Sequence, residues 1–297
     1  MNMTTCQFKK EMHHMESLAN AMEKLIRRVL VQSGKCPECS EPLYSWRAKN
    51  KDGSERCKPT CMSCGYKALR VKEDIQTERI YNDSLKARAL SFFQNGSVLT
   101  DKTLFKCKME NYHVVDQETK IALERAKSYV NDVLLNHPAH FILSGKSGSG
   151  KSHLSMATAW EILERSNYDK KILFISYQEL LEQIKFSYNN AELRKEIEGS
   201  LIADIKTTDL VVFDDIGAEL GSGVSNSRQF TNNTLNTLLE ARQNKATIIT
   251  TNLSGPELRE AYGERIVSRI FKNSEGYALK FQQTADKRIK PVKGSIA

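Results

Sequence analysis

The chain has 297 residues, about twice the ~150 of an average domain, so one large domain accompanied by a smaller one is the expected organisation. A content of 40% hydrophobic and 27% charged residues excludes a disordered chain, because there is enough apolar surface to build a core. Apolar runs stop at four or five residues, where a membrane-spanning helix needs ~20. The first stretch carries charges every few positions with no apolar h-region, so a soluble, cytoplasmic protein is expected.

The net charge of +8 is uneven: residues 1–95 hold 17 basic against 11 acidic side chains, and residues 96–297 hold 27 against 25. Such an excess suits a polyanionic partner, and equally suits an ordinary solvated surface. In residues 8–31, Met12, Met15, Leu18, Met22, Leu25, Ile26 and Val29 recur mostly at steps of three and four, which predicts a helix with one apolar face. His13 and His14 lie beside that stripe as surface residues.

Residues 33–72 are rich in Gly, Pro, Cys and charge and lack long periodicity, so something other than an apolar core must hold them. Five of the seven cysteines fall between Cys36 and Cys64. An odd count in a chain without a secretory signal argues for metal rather than disulfides. Cys36-Pro-Glu-Cys39 and Cys61-Met-Ser-Cys64 form two CxxC knuckles separated by 21 residues. Two knuckles supply the four thiolates of a closed, structural Zn²⁺ site with no open position for water. Cys57 is an alternative to Cys61, although the tight spacing and Gly65 after Cys64 favour the Cys61/Cys64 knuckle. Between the knuckles, Trp46, Arg47, Lys49, Lys51, Arg56 and Lys58 fit either a nucleic acid strand or the rim of a protein contact.

Residues 73–98 read as a polar helical connector ending at Asn95-Gly96, which predicts a small domain over 1–95 and a large one over 96–297. Asp116 is placed to cap a following helix. Beyond it, strands at 141–143, 172–175, 210–213 and 247–250 alternate with helices after Lys151, over 177–186 and over 230–242. That alternation predicts an α/β fold with a parallel sheet covered by helices.

Gly145-Lys-Ser-Gly148-Ser149-Gly150-Lys151-Ser152 is a complete GxxxxGKS between a strand and a helix. Its backbone N–H groups and the helix N-terminus suit phosphate oxygens, Lys151 the β/γ-phosphates, and the Ser152 hydroxyl Mg²⁺. His153 follows in the same helix. Leu210-Val-Val-Phe213-Asp214-Asp215 carries two acids out at a strand end, where ligands of parallel sheets bind. Asp214 suits the Mg²⁺ ion through its water shell, and Asp215 suits the attacking water. Asp in place of Glu at the second acid predicts slow hydrolysis, with Glu219 as a less favoured substitute. Asn252 ends the next strand and suits the γ-phosphate or the lytic water, although a turn role fits that residue type as well. Arg265 and Arg269 are four apart on one helical face, as phosphate-binding forks or as partners of Glu264 or Glu260.

GKSGSGKSHL (145–154), LVVFDDIGAE (210–219), TIITTNLS (247–254) and YGERIVSRI (262–270) together resemble the AAA+ P-loop ATPases. Within them, they resemble the bacterial replicative-helicase loaders of the DnaC/DnaI type, over roughly residues 105–290. The resemblance implies ATP/ADP and Mg²⁺ as cofactors, Asn252 in the sensor-1 position, and Arg269 as the arginine finger reaching a neighbouring subunit, with Arg265 a second basic residue. Arg288 stands near the sensor-2 position, with Lys287 and Lys290 aligning almost as well. The zinc module ahead of the ATPase resembles loaders of Gram-positive bacteria and their phages. Implied partners are a hexameric replicative helicase, single-stranded DNA and further copies of the chain, with hydrolysis stimulated by DNA or oligomerisation. The competing expectations are a transposition helper of the IstB type on duplex DNA, a nucleotide-gated adaptor that barely hydrolyses ATP, and a zinc-ribbon transcription factor.

Overall fold

The computed structural model describes residues 24–65, 67–188, 190–222 and 225–287. The expected histidine pair and most of the methionine stripe, together with Arg288 and Lys290, lie outside the described residues. The chain divides into two compact units, Met1–Asn82 and Asp83–Ala297.

In the first unit, residues 24–29 are helical. The predicted continuation to residue 31 is replaced at Leu30 by a strand, because Val31 and Gln32 pair across to Ser45 and Tyr44 instead of closing another helical turn. Strands β1 (Leu30–Lys35), β2 (Pro42–Trp46) and β3 (Thr60–Cys61) form an antiparallel sheet in that order. Over the described part of this unit the buried residues are Cys36, Ser45 and Cys61. Helix α1 (Lys67–Gly96) starts in this unit, and the division falls within it.

The second unit is built on a five-stranded sheet. Its elements are α2 (Gln117–Leu134), β4 (His140–Gly145), α3 (Lys151–Arg165), β5 (Ile172–Ser176), α4 (Tyr177–Ser187), α5 (Ala191–Glu196), α6 (Ile202–Thr207), β6 (Leu210–Ile216), α7 (Ser225–Ala241), β7 (Ala246–Thr251), α8 (Gly255–Ile270) and β8 (Ala278–Phe281). Strand order is β5-β6-β7-β4-β8, with every pairing parallel. Successive side chains of a strand point to opposite faces, and both faces are filled. Phe141, Leu143, Phe174, Val212 and Ile248 join Ala126, Val130 and Ile162 on one side. Ile142, Leu173, Val211, Phe213 and Ile249 join Leu180, Leu238 and Ile266 on the other. Near-continuous apolar strands are what a sheet buried on both faces requires. No described helix is long and apolar enough to cross a membrane.

Caps fix the helices at the site edge. Asp116 and Thr119 form a capping box at α2, and Ser254 and Glu257 form one at α8, each satisfying donors the first turn leaves open. Gly263 (φ 77°) interrupts α8 and turns its second half, which carries Arg265 and Arg269. At the opposite end of the strands, the starts of β6 and β7 are locked by Arg242, whose side chain is fully buried. It donates to the carbonyls of Ile205 (2.7 Å), Thr208 (2.8 Å), Asp209 (3.4 Å) and Ala246 (2.5 Å) and to Thr247 Oγ1 (3.2 Å).

Arg242→Met keeps the length and removes every donor, leaving these carbonyls unsatisfied. Unfolding in urea should show a loss of about 3 kcal/mol or more, seen as a lower midpoint at unchanged slope.

Candidate functional site

The order of the sheet puts the C-terminal ends of β4, β6 and β7 side by side, and the candidate residues sit on those ends. β4 runs into the glycine loop at Gly145, where a Cβ would lie 2.3 Å from the Phe281 carbonyl oxygen, so only glycine allows β8 to pack there. Gly150 begins α3 with φ 95° and no side-chain cap. The first N–H groups of α3 therefore face the loop without a side-chain acceptor, which is the donor set an anion uses. Ser149 Oγ is buried without a hydrogen-bond partner among the described residues. Uncapped donors and an orphaned hydroxyl inside a glycine cradle fit a phosphate group.

Lys151 is 6% exposed, and a buried ammonium needs acceptors. It donates to the carbonyls of Gly145 (2.7 Å) and Lys146 (2.8 Å) and to Asn252 Oδ1 (2.9 Å). The Asn252 amide in turn donates to Asp215 Oδ1 at 2.6 Å. The loop lysine, the β7 amide and the second β6 acid thus form one polar chain across three strands.

The acids are aimed by a β-bulge. Pairing of β6 with β7 is regular to Phe213↔Ile249 and resumes at Ile216↔Thr251. Asp214 and Asp215 therefore both oppose Thr250, and the extra residue bends the strand. Asp215 takes φ 55°, a left-handed conformation that Asp tolerates better than most residues. The Thr250 hydroxyl donates to Asp214 Oδ1 (2.7 Å) and accepts the Asp215 N–H (2.7 Å), holding both acids with one atom. Burial lifts the Asp214 carboxyl to about 6 against the pull of hydrogen bonds from Thr250 and Ser152. Ser152 and Asp214 are thereby brought together as a hydroxyl and a carboxylate, the hard oxygen donors that suit Mg²⁺.

The remaining candidates divide. His153 lines the cavity, its Nε2 2.8 Å from Asn111 Oδ1, with burial holding its pKa below the ordinary value. Glu219 is held by the Tyr262 hydroxyl and by the Gly217 N–H (2.9 Å), and burial raises its pKa. Arg269 is not paired with Glu264 or Glu260. Its guanidinium reaches across to α7, to Asn236 Oδ1 (2.6 Å) and Glu240 (3.2 Å), with the side chain 14% exposed. Arg265 is exposed.

The loop opens into a cavity of about 330 Å³ whose wall includes Leu104, Tyr112, His113, Asp215, Thr250, Asn252 and Lys287. Sequence reasoning missed Thr250, Tyr112 and His113. Thr250 carried a signal, a polar residue in an otherwise apolar strand opposite two acids.

In the first unit the sulfurs of Cys36, Cys39, Cys61 and Cys64 all lie within 4.8 Å of one another. Zn–S bonds of 2.3 Å imply sulfurs roughly 3.8 Å apart in a tetrahedron, and the Cys36–Cys64 and Cys39–Cys61 separations are 3.4 Å. The two knuckles share a backbone device: Ser40 and Gly65, each following the second cysteine, have φ 60° and 63°. Backbone N–H groups draw the Cys61 thiol down to about 6 and lower Cys36, while the Cys36 sulfur pushes Cys64 upward. Two thiols are lowered and two, Cys39 and Cys64, are raised by their crowded sulfur neighbours, and four sulfurs converging in this way fit a metal cation that would relieve their mutual repulsion. Cys57 is exposed outside the cluster.

A parallel sheet with this strand order, a glycine loop after its first strand and two acids beside a polar amide defines a P-loop nucleotide-binding unit of the AAA+ class. A family model described as "IstB-like ATP binding protein" matches residues 98–271. The chain belongs to this family.

Among individual proteins, it is 31% identical over 166 residues to the replicative helicase loader DnaC of Escherichia coli (strain K12), covering 55% of this chain and 62% of that protein. It is 27% identical over 166 residues to DnaC of Buchnera aphidicola subsp. Baizongia pistaciae, covering 55% and 63%. The chain thus spans somewhat over three fifths of the length of these relatives. The fold is similar to the crystal structure of the DnaC helicase loader (TM-score 0.52, 21% identity, 61% of this chain and 99% of that one). It is also similar to the crystal structure of DnaI (TM-score 0.50, 20% identity, 63% and 95%).

Two outcomes test the geometry. Thr250→Val removes the hydroxyl that favours the Asp214 carboxylate, so Mg²⁺-dependent ATP binding should weaken about tenfold. The pH below which binding is lost, expected near 6 from Asp214, should move upward, as titration calorimetry across pH would read. Cys36→Ser should lower bound zinc, measured by elemental analysis, and unfold the first unit in circular dichroism while the P-loop unit keeps its thermal transition.

Proposed function

We propose that the chain is an ATP-dependent loader of a replicative DNA helicase onto single-stranded DNA, in which ATP state times association and release. The observation that carries this reading is the polar chain Lys151–Asn252–Asp215 on the glycine loop of a sequence 31% identical to a replicative helicase loader. In this reading Gly148, Ser149, Gly150 and the α3 N-terminus hold the phosphates of ATP or ADP, and Lys151 exchanges its loop carbonyls for phosphate oxygens. Ser152 and Asp214 hold Mg²⁺, which when bound neutralises charge on the terminal phosphates. Asp215 and Asn252 orient the attacking water. The Asp215 carboxylate accepts from the Asn252 amide, and an acceptor already occupied by an amide is a weaker base, so turnover is slow until a partner rearranges the pair.

Arg269 serves a neighbouring copy as its finger after release from Glu240, with exposed Arg265 beside it. A guanidinium supplied in trans makes hydrolysis depend on self-association. The cysteine cluster holds Zn²⁺ as a folding element, and the first unit, with Trp46 43% exposed and its basic loop residues outward, grips the helicase.

A second reading has one observation in its favour, the IstB-like name of the matching family model: a transposition helper acting on duplex DNA with a transposase. A loading assay separates the two. The wild-type chain should raise helicase-dependent unwinding of a single-stranded substrate in the presence of ATP. Lys151→Ala, which removes a charge-assisted phosphate contact, should lose ATP affinity at least about tenfold and fail to stimulate unwinding. Full stimulation by Lys151→Ala would reject the role of ATP. ATP-dependent assembly on duplex DNA alone, with no effect on a helicase, would favour the transposition helper.

A further inference from the structure

Residues 282–287 leave β8 and run to the wall of the nucleotide cavity, held at both ends by polar contacts. At the start of the run, the Glu118 carboxylate, in the first turn of α2, accepts the N–H groups of Gln282 (3.1 Å), Gln283 (3.0 Å) and Thr284 (3.0 Å) and the Thr284 hydroxyl (2.9 Å). Burial disfavours this carboxylate, yet the hydrogen bonds from Thr284, Gln282 and Gln283 outweigh it and leave its pKa below the ordinary value. Three successive backbone donors on one carboxylate form an anion nest filled by a side chain. Toward the far end, the Lys287 N–H donates to the Gly148 carbonyl at 3.0 Å, and the Asp286 carboxylate packs directly against Gly148. At the far end, Lys287 Nζ donates to the His113 carbonyl (2.7 Å) and lies 4.2 Å from the centre of the Tyr112 ring.

Lys287, Tyr112 and His113 all line the cavity that contains Lys151 and Asn252. Tyr112 is 6% exposed, with its hydroxyl lacking a hydrogen-bond partner among the described residues. The strap therefore brings a cation to a cavity wall that also carries an unused donor, and it does so through the glycine loop itself. Closing it narrows the exit for a ligand, with the Asp286 carboxylate at Gly148 offsetting part of the Lys287 charge; opening it widens the exit.

We propose that residues 282–287 are a strap over the nucleotide site and that Glu118 is the positioning residue that keeps it closed, governing how long a nucleotide is retained. This rests on the nucleotide-site reading above. Glu118 is not among the residues that line the cavity; it acts through the three amides it holds. A shorter dwell time in its absence follows because the strap loses its charged acceptor while Lys151, Asp214 and Asp215 are untouched.

The test uses the full chain and a fluorescent ADP analogue in stopped flow. Glu118→Gln should speed dissociation about tenfold while changing association far less. Hydrogen exchange followed by mass spectrometry should show faster exchange at residues 282–284, with the central strands protected as in the wild type. Gln283→Pro, which deletes one donor and leaves Glu118 in place, should shift dissociation the same way by a smaller factor, and it serves if Glu118→Gln does not fold. Unchanged dissociation in the folded variants, with the analogue bound normally by the wild type, would overturn the strap alone. Equal acceleration of exchange throughout the unit would also overturn it, since that marks general loosening. Failure of the wild type to bind the analogue at all would overturn the nucleotide-site reading and the strap with it.

Discussion

A lysine ammonium buried at the edge of a parallel sheet sets the terms for the P-loop unit. Removed from water, the Lys151 charge must be met by acceptors, and the fold supplies them from separate strands: two carbonyls from the loop after β4 and an amide oxygen from the end of β7. Because that amide has a second end, the constraint propagates to Asp215 on β6. Three strand ends are tied into one network before any ligand arrives, and a ligand bearing phosphate oxygens competes for the same ammonium. On the proposed reading, the ammonium's present partners are the contacts a phosphate would replace, and Asn252 would keep its bond to Asp215.

The bulge in β6 explains why two neighbouring acids sit in different surroundings. In a regular strand Asp214 and Asp215 would point to opposite faces, one of them into the core. With both facing Thr250, they share an edge and are distinguished by that single hydroxyl, which donates to one carboxylate and accepts from the other's backbone. Asp214 is left buried beside Ser152, and Asp215 turns to Asn252. The left-handed backbone at Asp215 is the local strain this requires, and strain of this kind persists where surrounding contacts over-determine it.

What was legible in the sequence follows the range of the physics. The glycine loop, the two acids and Asn252 could be read because each sits in a short strand-to-loop pattern whose chemistry is local. The capping role of Asp116 was local too. The cysteine knuckles were legible from spacing alone, since two residues between cysteines leave one turn geometry. Thr250, Tyr112, His113 and Glu118 were not, because each gains its meaning from a residue far along the chain that only the strand order brings near. The partner of Arg269 was sought within its own helix and lies on α7, for the same reason. Strands β1 to β3 and β8 escaped notice because short, half-exposed strands lack the alternation that marks a buried one.

The two arginines of α8 carry the argument one step further. Arg269 has Glu240 and Asn236 as partners, and its buried Nε has no acceptor among the described residues. The Arg269 side chain is 14% exposed but Glu240 is 52% exposed, and a pair open to water on one side contributes little, so it competes weakly against a phosphate that offers several oxygens to a planar fork. Arg265, past the same glycine break and exposed, faces no such competition and can meet a neighbouring surface first. On the proposal that Arg269 serves a neighbouring copy, the contacts it would have to give up are those to Glu240 and Asn236, and the self-association proposed above would have to outweigh them.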